Sequence, residues 1–420
     1  MTSDIWVWAW LRGDTSPTLA GRFRHTRLPG GSLTGYRGEF VYGASYLGNP
    51  DKLALDPLQL PIVGKVFETT RLEGFFGTIR DAMPDDWGRL VIDRRYGPPP
   101  DPTGYLLLGM GDQVGNLGFS AMRDQPPHTP QLPRLELVNA ARALMRGLEQ
   151  DRPIKPPEGT RVSLPIRVNT NMGGARPKFT IEHERKQWIA KFPAIADRGA
   201  PIARIERAML TLASACGINA ANAQVVADDI LLVERFDRAL SVDGTGWRRD
   251  AFLSAQTVFQ ADPALQEYSF SGSYGRLALE MAKFSESVAA DREELYRRMV
   301  FNCCISNTDD HERNHGFIAD DTPGFYRLSP AYDMVPRQHN TERRYQALAI
   351  GDEGHAATRE NILSNCTAFG LHREQAMQIL EFVEATVQQQ WRQRLSDVGL
   401  TDQQIDEWSV CFKPLPDTFD

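Results

Sequence analysis

The order of apolar and polar positions divides the chain into a part with strand-like patterning and a part with helical spacing. Residues 5–11, IWVWAWL, read as a strand buried on both faces that ends at Arg12-Gly13-Asp14, and a second strand runs through residues 38–42, GEFVY. Residues 46–63 are turn-rich, and 75–96 read as mostly helical, with Asp85 or Asp86 as a cap. This half reads as a small α+β scaffold without a catalytic constellation. A helix is expected over about 134–150, with Leu135, Val138, Leu144 and Leu148 near one face.

Residues 179–182 and 187–192 form a predicted β-hairpin whose alternation puts Gln187, Ile189 and Lys191 on one face. A helix over about 204–215 carries Ile205, Met209 and Leu212 and stops at Gly217, and short strands follow at 223–226 and 230–233. Beyond Asp250 the pattern turns helical. One helix is expected over 273–284, and another opens at Asp291 with capping-box spacing and runs to about Cys304. A short hairpin over 316–318 and 325–328 comes next, then a long helix over about 373–395 and a shorter one after Thr401.

Proline clusters at 98–100, 126–133 and 153–157 mark extended connections. The expected organisation is a subdomain over 1–130, a β-rich lobe over 131–238 and a helical lobe over 239–420. Composition changes this picture little. With 41% hydrophobic and 24% charged residues the chain is an ordinary globular one. Its formal charge of −7 argues against a large nucleic-acid surface of its own. Five scattered cysteines without CxxC spacing suit a reducing compartment rather than a disulfide framework or structural zinc. Residues 1–11 lack the features of a signal peptide, and no apolar run approaches a bilayer span, so a cytoplasmic protein without membrane contact is expected.

The candidate chemistry lies in residues 302–336, NCCISNTDDHERNHGFIADDTPGFYRLSPAYDMVP, where two readings compete. His311-Glu312-x-x-His315 matches the HExxH zinc-protease pattern, which needs both histidines on one continuous helix. The flanks, Ser306-Asn307-Thr308-Asp309-Asp310 before and Gly316 after, are turn formers. In the second reading Asp309 is a base and Asn314 and Asp333 are hard-oxygen ligands for magnesium in phosphoryl transfer. Lys191, inside an apolar strand beside the Gly-containing loop TNMGGARPK at 170–178, would then meet phosphate, with Glu206 as its ion-pair partner. Taken alone, that loop reads more readily as an ordinary turn and Lys191 as a solvated edge residue.

Seven segments together resemble the HipA family of bacterial serine/threonine kinases, the toxins of toxin–antitoxin pairs. They are GEFVY at 38–42, DAMPDDWGR at 81–89, GGARPK at 173–178, WIAKF at 188–192, VERFDR at 233–238, NTDDHERN at 307–314 and LSPAYD at 328–333. The resemblance implies an α+β fold, a two-lobed protein-kinase-like core (small β-rich lobe, helical C-lobe) with an appended N-terminal subdomain. It implies ATP and Mg²⁺ as cofactors, Asp309 as catalytic base, Asn314 and Asp333 on the metal, and Lys191 on the phosphates. By the same carry-over Met172, Gly173, Gly174 and Ala175 cover the phosphates, main-chain atoms of Glu234 and Phe236 hold the adenine, and His311 and Tyr332 adjoin the nucleotide. Its implied partners are a small helix-turn-helix antitoxin, through which alone it meets DNA, and a protein substrate among translation components such as an aminoacyl-tRNA synthetase. The family's autophosphorylated serine corresponds to Asn171, which either removes that role or moves it to the neighbouring Thr170. A small-molecule kinase of aminoglycoside type and a catalytically weak co-repressor are the alternatives.

Overall fold

The apolar run at 5–11 becomes an interior strand of a five-stranded antiparallel sheet. Its members are β1 (Thr2–Trp10), β2 (Pro17–Arg27), β3 (Tyr36–Tyr42), β4 (Val66–Thr69) and β5 (Leu117–Ser120), in the order β4-β3-β2-β1-β5. Ile5, Val7 and Ala9 share one face by alternation and enter a core with Phe23, Phe40, Phe75 and Phe76. Gly38 in β3 is required by crowding, since a Cβ there would sit 1.9 Å from the carbonyl oxygen of Gly74. Four short helices decorate this sheet, α1 (Ala44–Leu47), α2 (Gly77–Asp81), α3 (Asp86–Tyr96) and α4 (Thr103–Leu108). Of the two expected caps of α3, Asp85 is the one used, accepting the Gly88 N–H at 2.8 Å.

This computed structural model describes residues 2–29, 35–109, 111–129, 131–150, 176–261, 272–339, 341 and 343–419. Two units emerge from it, one of Met1–Arg198, Leu232–Glu267 and Asp321–Gly324, the other of Gly199–Leu231, Tyr268–Asp320 and Phe325–Asp420. The first unit continues through α5 (Val138–Glu149) into the hairpin of β6 (Lys178–His183) and β7 (Lys186–Lys191). Glu184 and Arg185 turn that hairpin with positive φ of 51° and 59°, the pattern of a tight two-residue turn. The second unit then contributes α6 (Ile202–Ala215) and β8 (Ala223–Val226), and the chain re-enters the first within β9 (Ile230–Glu234). After it come β10 (Arg238–Leu240), β11 (Trp247–Arg249), β12 (Phe252–Ser254) and α7 (Ala255–Gln260).

The residues that follow β9 build a buried ionic network in the first unit. Arg235 donates to both carboxylate oxygens of Asp237, at 3.0 and 2.8 Å, and to Asp112 at 2.5 Å. Asp237 also accepts from Arg238 and from the Gly115 N–H, at 2.8 and 2.9 Å. Arg249 caps the cluster, lying 3.6 Å over the Trp10 ring and donating to the Gly111 carbonyl at 2.7 Å. Burial alone would push the Asp237 carboxyl up, but Arg235 and Arg238 outweigh it and hold it below its usual range. The sequence VERFDR therefore ties the strand β9 to the segment 111–116 of the N-terminal sheet region.

In the second unit α6 and α11 (Arg373–Asp397) pack together, and α11 packs on α9 (Val288–Cys304). Ile205, Met209 and Leu212 meet this interior as expected, and Leu380, Val383, Val387 and Leu395 supply it from α11. Smaller helices complete the unit: α8 (Tyr274–Glu280), α10 (Arg359–Ser364) and α12 (Asp402–Trp408). Strands β13 (Gly316–Ala319) and β14 (Tyr326–Leu328) pair antiparallel with Phe317 opposite Leu328. All five cysteines are buried and unpaired as disulfides. No helix among the described residues is long and apolar enough to cross a membrane.

Replacing Asp237 by alanine leaves two buried guanidinium groups short of a carboxylate. A loss of about 3–5 kcal/mol is expected from such a rupture, read as a lowered midpoint in urea unfolding. A melt within 0.5 kcal/mol of wild type, roughly the scale of a surface change, would contradict the structural role.

Candidate active site

The stretch between α9 and β13 is folded by one inward-facing carboxylate. Asp310 is 3% exposed. It accepts the Asn302 amide at 2.7 Å, the His315 Nε2–H at 2.9 Å and the Tyr274 hydroxyl, all on the same oxygen. Asn302 in turn accepts from the Asn307 side chain at 3.0 Å. Burial, reinforced by the neighbouring Asp310 charge, pushes the Tyr274 hydroxyl well above its ordinary pKa, so it stays a donor. Ser306 opens the loop with a positive φ of 56°, and the Asn307 N–H bonds the Asn302 carbonyl at 2.9 Å. Asp309, adjacent to the buried Asp310, faces solvent, with its side chain 55% exposed and ion-paired to Arg337.

After Asp310 the chain makes one 3₁₀ turn at Glu312–Asn314 and enters β13 at Gly316. The two histidines of the HExxH match are therefore not on a common helix, and His315 is engaged by Asp310, so that match is not a metalloprotease site. His315 is a buried structural partner of the loop. His311 is half-buried, and its carbonyl accepts the Asn314 N–H at 2.9 Å. Asn314 is 5% exposed and donates from its side chain to the Asp309 carbonyl at 3.1 Å. Its side-chain oxygen is buried and has no hydrogen-bond partner among the described residues. Buried acceptors of this kind are rare and need a reason. A hard cation that takes amide and carboxylate oxygens fits this donor set, in which Asn314 and Asp333 would hold magnesium.

Asp333 follows β14 on an arm fixed at several points. Ala331 exchanges backbone hydrogen bonds with Asn219 and Ala221, at 2.7 and 2.8 Å. The Tyr332 hydroxyl donates to the Arg313 carbonyl at 2.9 Å, linking this arm to the turn that holds Asn314. Asp333 has φ +60°, a left-handed conformation that costs a non-glycine residue. Upstream, buried Arg298 donates to the Ser329 carbonyl at 2.7 Å. Asp291 does not open α9: the helix starts at Val288, and Asp291 accepts the Ser285 hydroxyl at 2.6 Å and the Leu328 N–H at 3.2 Å. A serine six residues upstream and a backbone amide out-compete the capping box.

The first unit carries the other expected residues. Lys191 ends β7 opposite Lys178 and is half-buried. Arg176, at the exit of the Gly-containing loop, makes a bidentate pair with Asp197 at 2.7 and 3.1 Å. Met172, Gly173, Gly174, Ala175 and Thr170 lie outside the described residues. Glu234 binds Lys186 through its side chain at 2.7 Å. The Phe236 ring packs against an apolar cluster of Val114, Ile189 and Phe252. Glu206, on α6 of the second unit, is 2% exposed, a degree of burial that a carboxylate tolerates only with a partner. Tyr274, Asn302, Asp310 and Arg337 did not stand out in the sequence. The Asp310–His315 spacing of five across a turn is the one signal that could have shown the internal pair.

Residues 170–391 match the family model of the HipA-like C-terminal domain. The proposed kinase Y4mE of Sinorhizobium fredii (strain NBRC 101917 / NGR234) is 25% identical over 316 residues, covering 70% of this chain and 71% of its own length. A second proposed kinase of that organism, Y4dM, is 25% identical over 206 residues, covering 43% of this chain and 49% of its own. HipA of Shewanella oneidensis MR-1, solved in a toxin–antitoxin complex with HipB and operator DNA, superposes with a TM-score of 0.66 at 17% identity. That match spans 97% of this chain and 94% of the other, so the expected α+β, kinase-like fold is shared along nearly the whole length.

Substituting Asp310 by alanine strands three buried donors and is expected to destabilise by about 3–5 kcal/mol. Asparagine at the same position keeps an acceptor and should cost about 1 kcal/mol. Denaturant melts of the two variants check the ranking, and equal losses would show that the carboxylate oxygen is not the organising atom.

Proposed function

The chain belongs to the family of HipA-like C-terminal domains, and from that premise we propose that it is an ATP- and magnesium-dependent serine/threonine protein kinase acting as a growth-inhibiting toxin. Its proposed acceptor is a hydroxyl on a translation component such as an aminoacyl-tRNA synthetase. The observation that carries this reading is the buried side-chain oxygen of Asn314, unpartnered among the described residues, on the same loop as the solvent-facing carboxylate of Asp309. A base open to an incoming macromolecule beside a sheltered metal ligand suits transfer to a hydroxyl.

In this reading Asp309 accepts the hydroxyl proton as the acceptor oxygen attacks the terminal phosphorus of ATP and the bond to the bridging oxygen breaks, releasing ADP. The Asp310 network fixes the backbone next to Asp309, whose carboxylate is at the surface, paired with Arg337. Asn314 and Asp333 would hold magnesium, which supplies charge neutralisation on the phosphates. Lys191 would bind phosphate oxygens, kept in place by Glu206, and Met172 to Ala175 would cover them. The side chains of Glu234 and Phe236 are already committed to Lys186 and to the Val114 cluster, which supports main-chain contact with the adenine. Tyr332 commits its hydroxyl to Arg313, so its ring, with His311, would meet the nucleotide. Thr170 is the proposed site of self-phosphorylation. A small helix-turn-helix antitoxin is the proposed partner and the route to DNA, in keeping with the net charge of −7. The compartment proposed is the bacterial cytoplasm.

The test is phosphate transfer from labelled ATP to proteins of a bacterial lysate. Asp309→Ala is expected to lower the rate about 10²–10⁴-fold, the usual range for a general base, and equal rates for both proteins would sink the kinase reading. Asn314→Ala should raise the magnesium concentration for half-maximal rate about 10–100-fold, by analogy with losses in metal sites. Mass spectrometry after incubation with ATP should find phosphate on Thr170; phosphate confined to other residues would remove that assignment.

A further inference from the structure

The segment DAMPDDWGR at 81–89 caps α3 and also reaches the β6–β7 hairpin. One oxygen of Asp85 accepts the Gly88 N–H at 2.8 Å, and the other lies 2.6 Å from the Lys178 ammonium. The side chains of Asp85 and Lys178 are 3% and 2% exposed. This is a buried ion pair between the N-terminus of α3 and the first residue of β6.

Lys178 stands directly opposite Lys191 in the β6–β7 register. Opposed residues of an antiparallel pair project from the same face, with Cβ atoms about 4.5–5.5 Å apart, and like charges there repel. The two lysines have different surroundings: Lys178 is buried against Asp85, and Lys191 is half-buried. Two residues upstream of Lys178, the Arg176–Asp197 pair fixes the chain where it enters the same strand. Asp85 is thus placed to neutralise one of two neighbouring ammonium groups and to draw it towards α3.

Resting on the kinase reading above, we propose that Asp85 and Lys178 are a positioning pair that sets the β6–β7 hairpin so that Lys191, and not Lys178, serves the phosphates. Losing the Asp85 charge releases a cation beside Lys191 and misplaces the strand that carries it. Removing both charges leaves nothing to compete. The pair should therefore show in nucleotide affinity as a coupled effect, and not only in stability.

A double-substitution cycle with the full chain tests this, using steady-state kinetics with MgATP. Asp85→Asn is expected to raise KM for ATP about tenfold, a modest case of the losses caused by small misplacements, with kcat within about twofold of wild type. Combining it with Lys178→Met should return KM to within about threefold of wild type, because neutralising both partners of a buried pair avoids the stray charge. An unchanged KM in Asp85→Asn well below its melting temperature would overturn the proposal, as would effects that simply multiply in the double variant. Should Asp85→Asn not fold, Lys178→Met against the double variant carries the same decision: adding Asp85→Asn must lower KM. Hydrogen exchange gives a readout that needs no ATP. Asp85→Asn should speed exchange of the β7 amides around Lys191 more than those of β3, and equal acceleration would count against a local effect. Absence of phosphate transfer by the wild type would count against the kinase reading alone, leaving the exchange result to decide the pair.

Discussion

A single buried oxygen on Asp310 sets the direction of the loop on which the candidate site depends. Three donors from α8, α9 and the residue just before β13 converge on it: Tyr274, Asn302 and His315. An acceptor so placed has one tolerable orientation, because turning it away would leave several buried polar groups unsatisfied. Asp309, the next residue back, presents its carboxylate to solvent. The same loop brings the Asp309 carbonyl within reach of the Asn314 amide, which leaves the amide oxygen unpartnered. Local geometry and candidate chemistry are thus two results of one inward carboxylate.

Charge is used differently in the first unit. Arg235, Arg238, Asp237 and Asp112 are buried together, where unpaired ions would be prohibitive and where only mutual hydrogen bonding makes them tolerable. Such a network adds little net stability over an apolar core, but it penalises every wrong docking of β9 on segment 111–116. The short strand gains a defined address that Ile, Leu and Val alone would not supply.

Much of this was legible as periodicity. The apolar run at 5–11, the hairpins at 178–191 and 316–328, and the helices α6, α9 and α11 follow from spacing and turn residues, with ends off by a few positions. Strand β2 escaped notice although its signal exists: Phe23 and His25 point inward while Arg22 and Arg24 alternate outward. Strands β4 and β5 are four residues each, too short to show a period. What the sequence could not show is which buried charges meet. Asp85 caps α3 as read and also meets Lys178 far along the chain, whereas the carboxylate of Asp291, read as a capping box, is taken by Ser285 and the distant Leu328. Polarity patterns say that a group is polar; they do not say who answers it.

Asp333 sits where the backbone would rest most easily as glycine, at φ +60°. An aspartate there carries strain of about 1 kcal/mol. Glycine at this position would relax the chain and remove the carboxylate in the same step. Improvement of the fold and retention of the acidic group therefore pull in opposite directions at one residue. A stabilising change at this position would thus remove a proposed metal ligand.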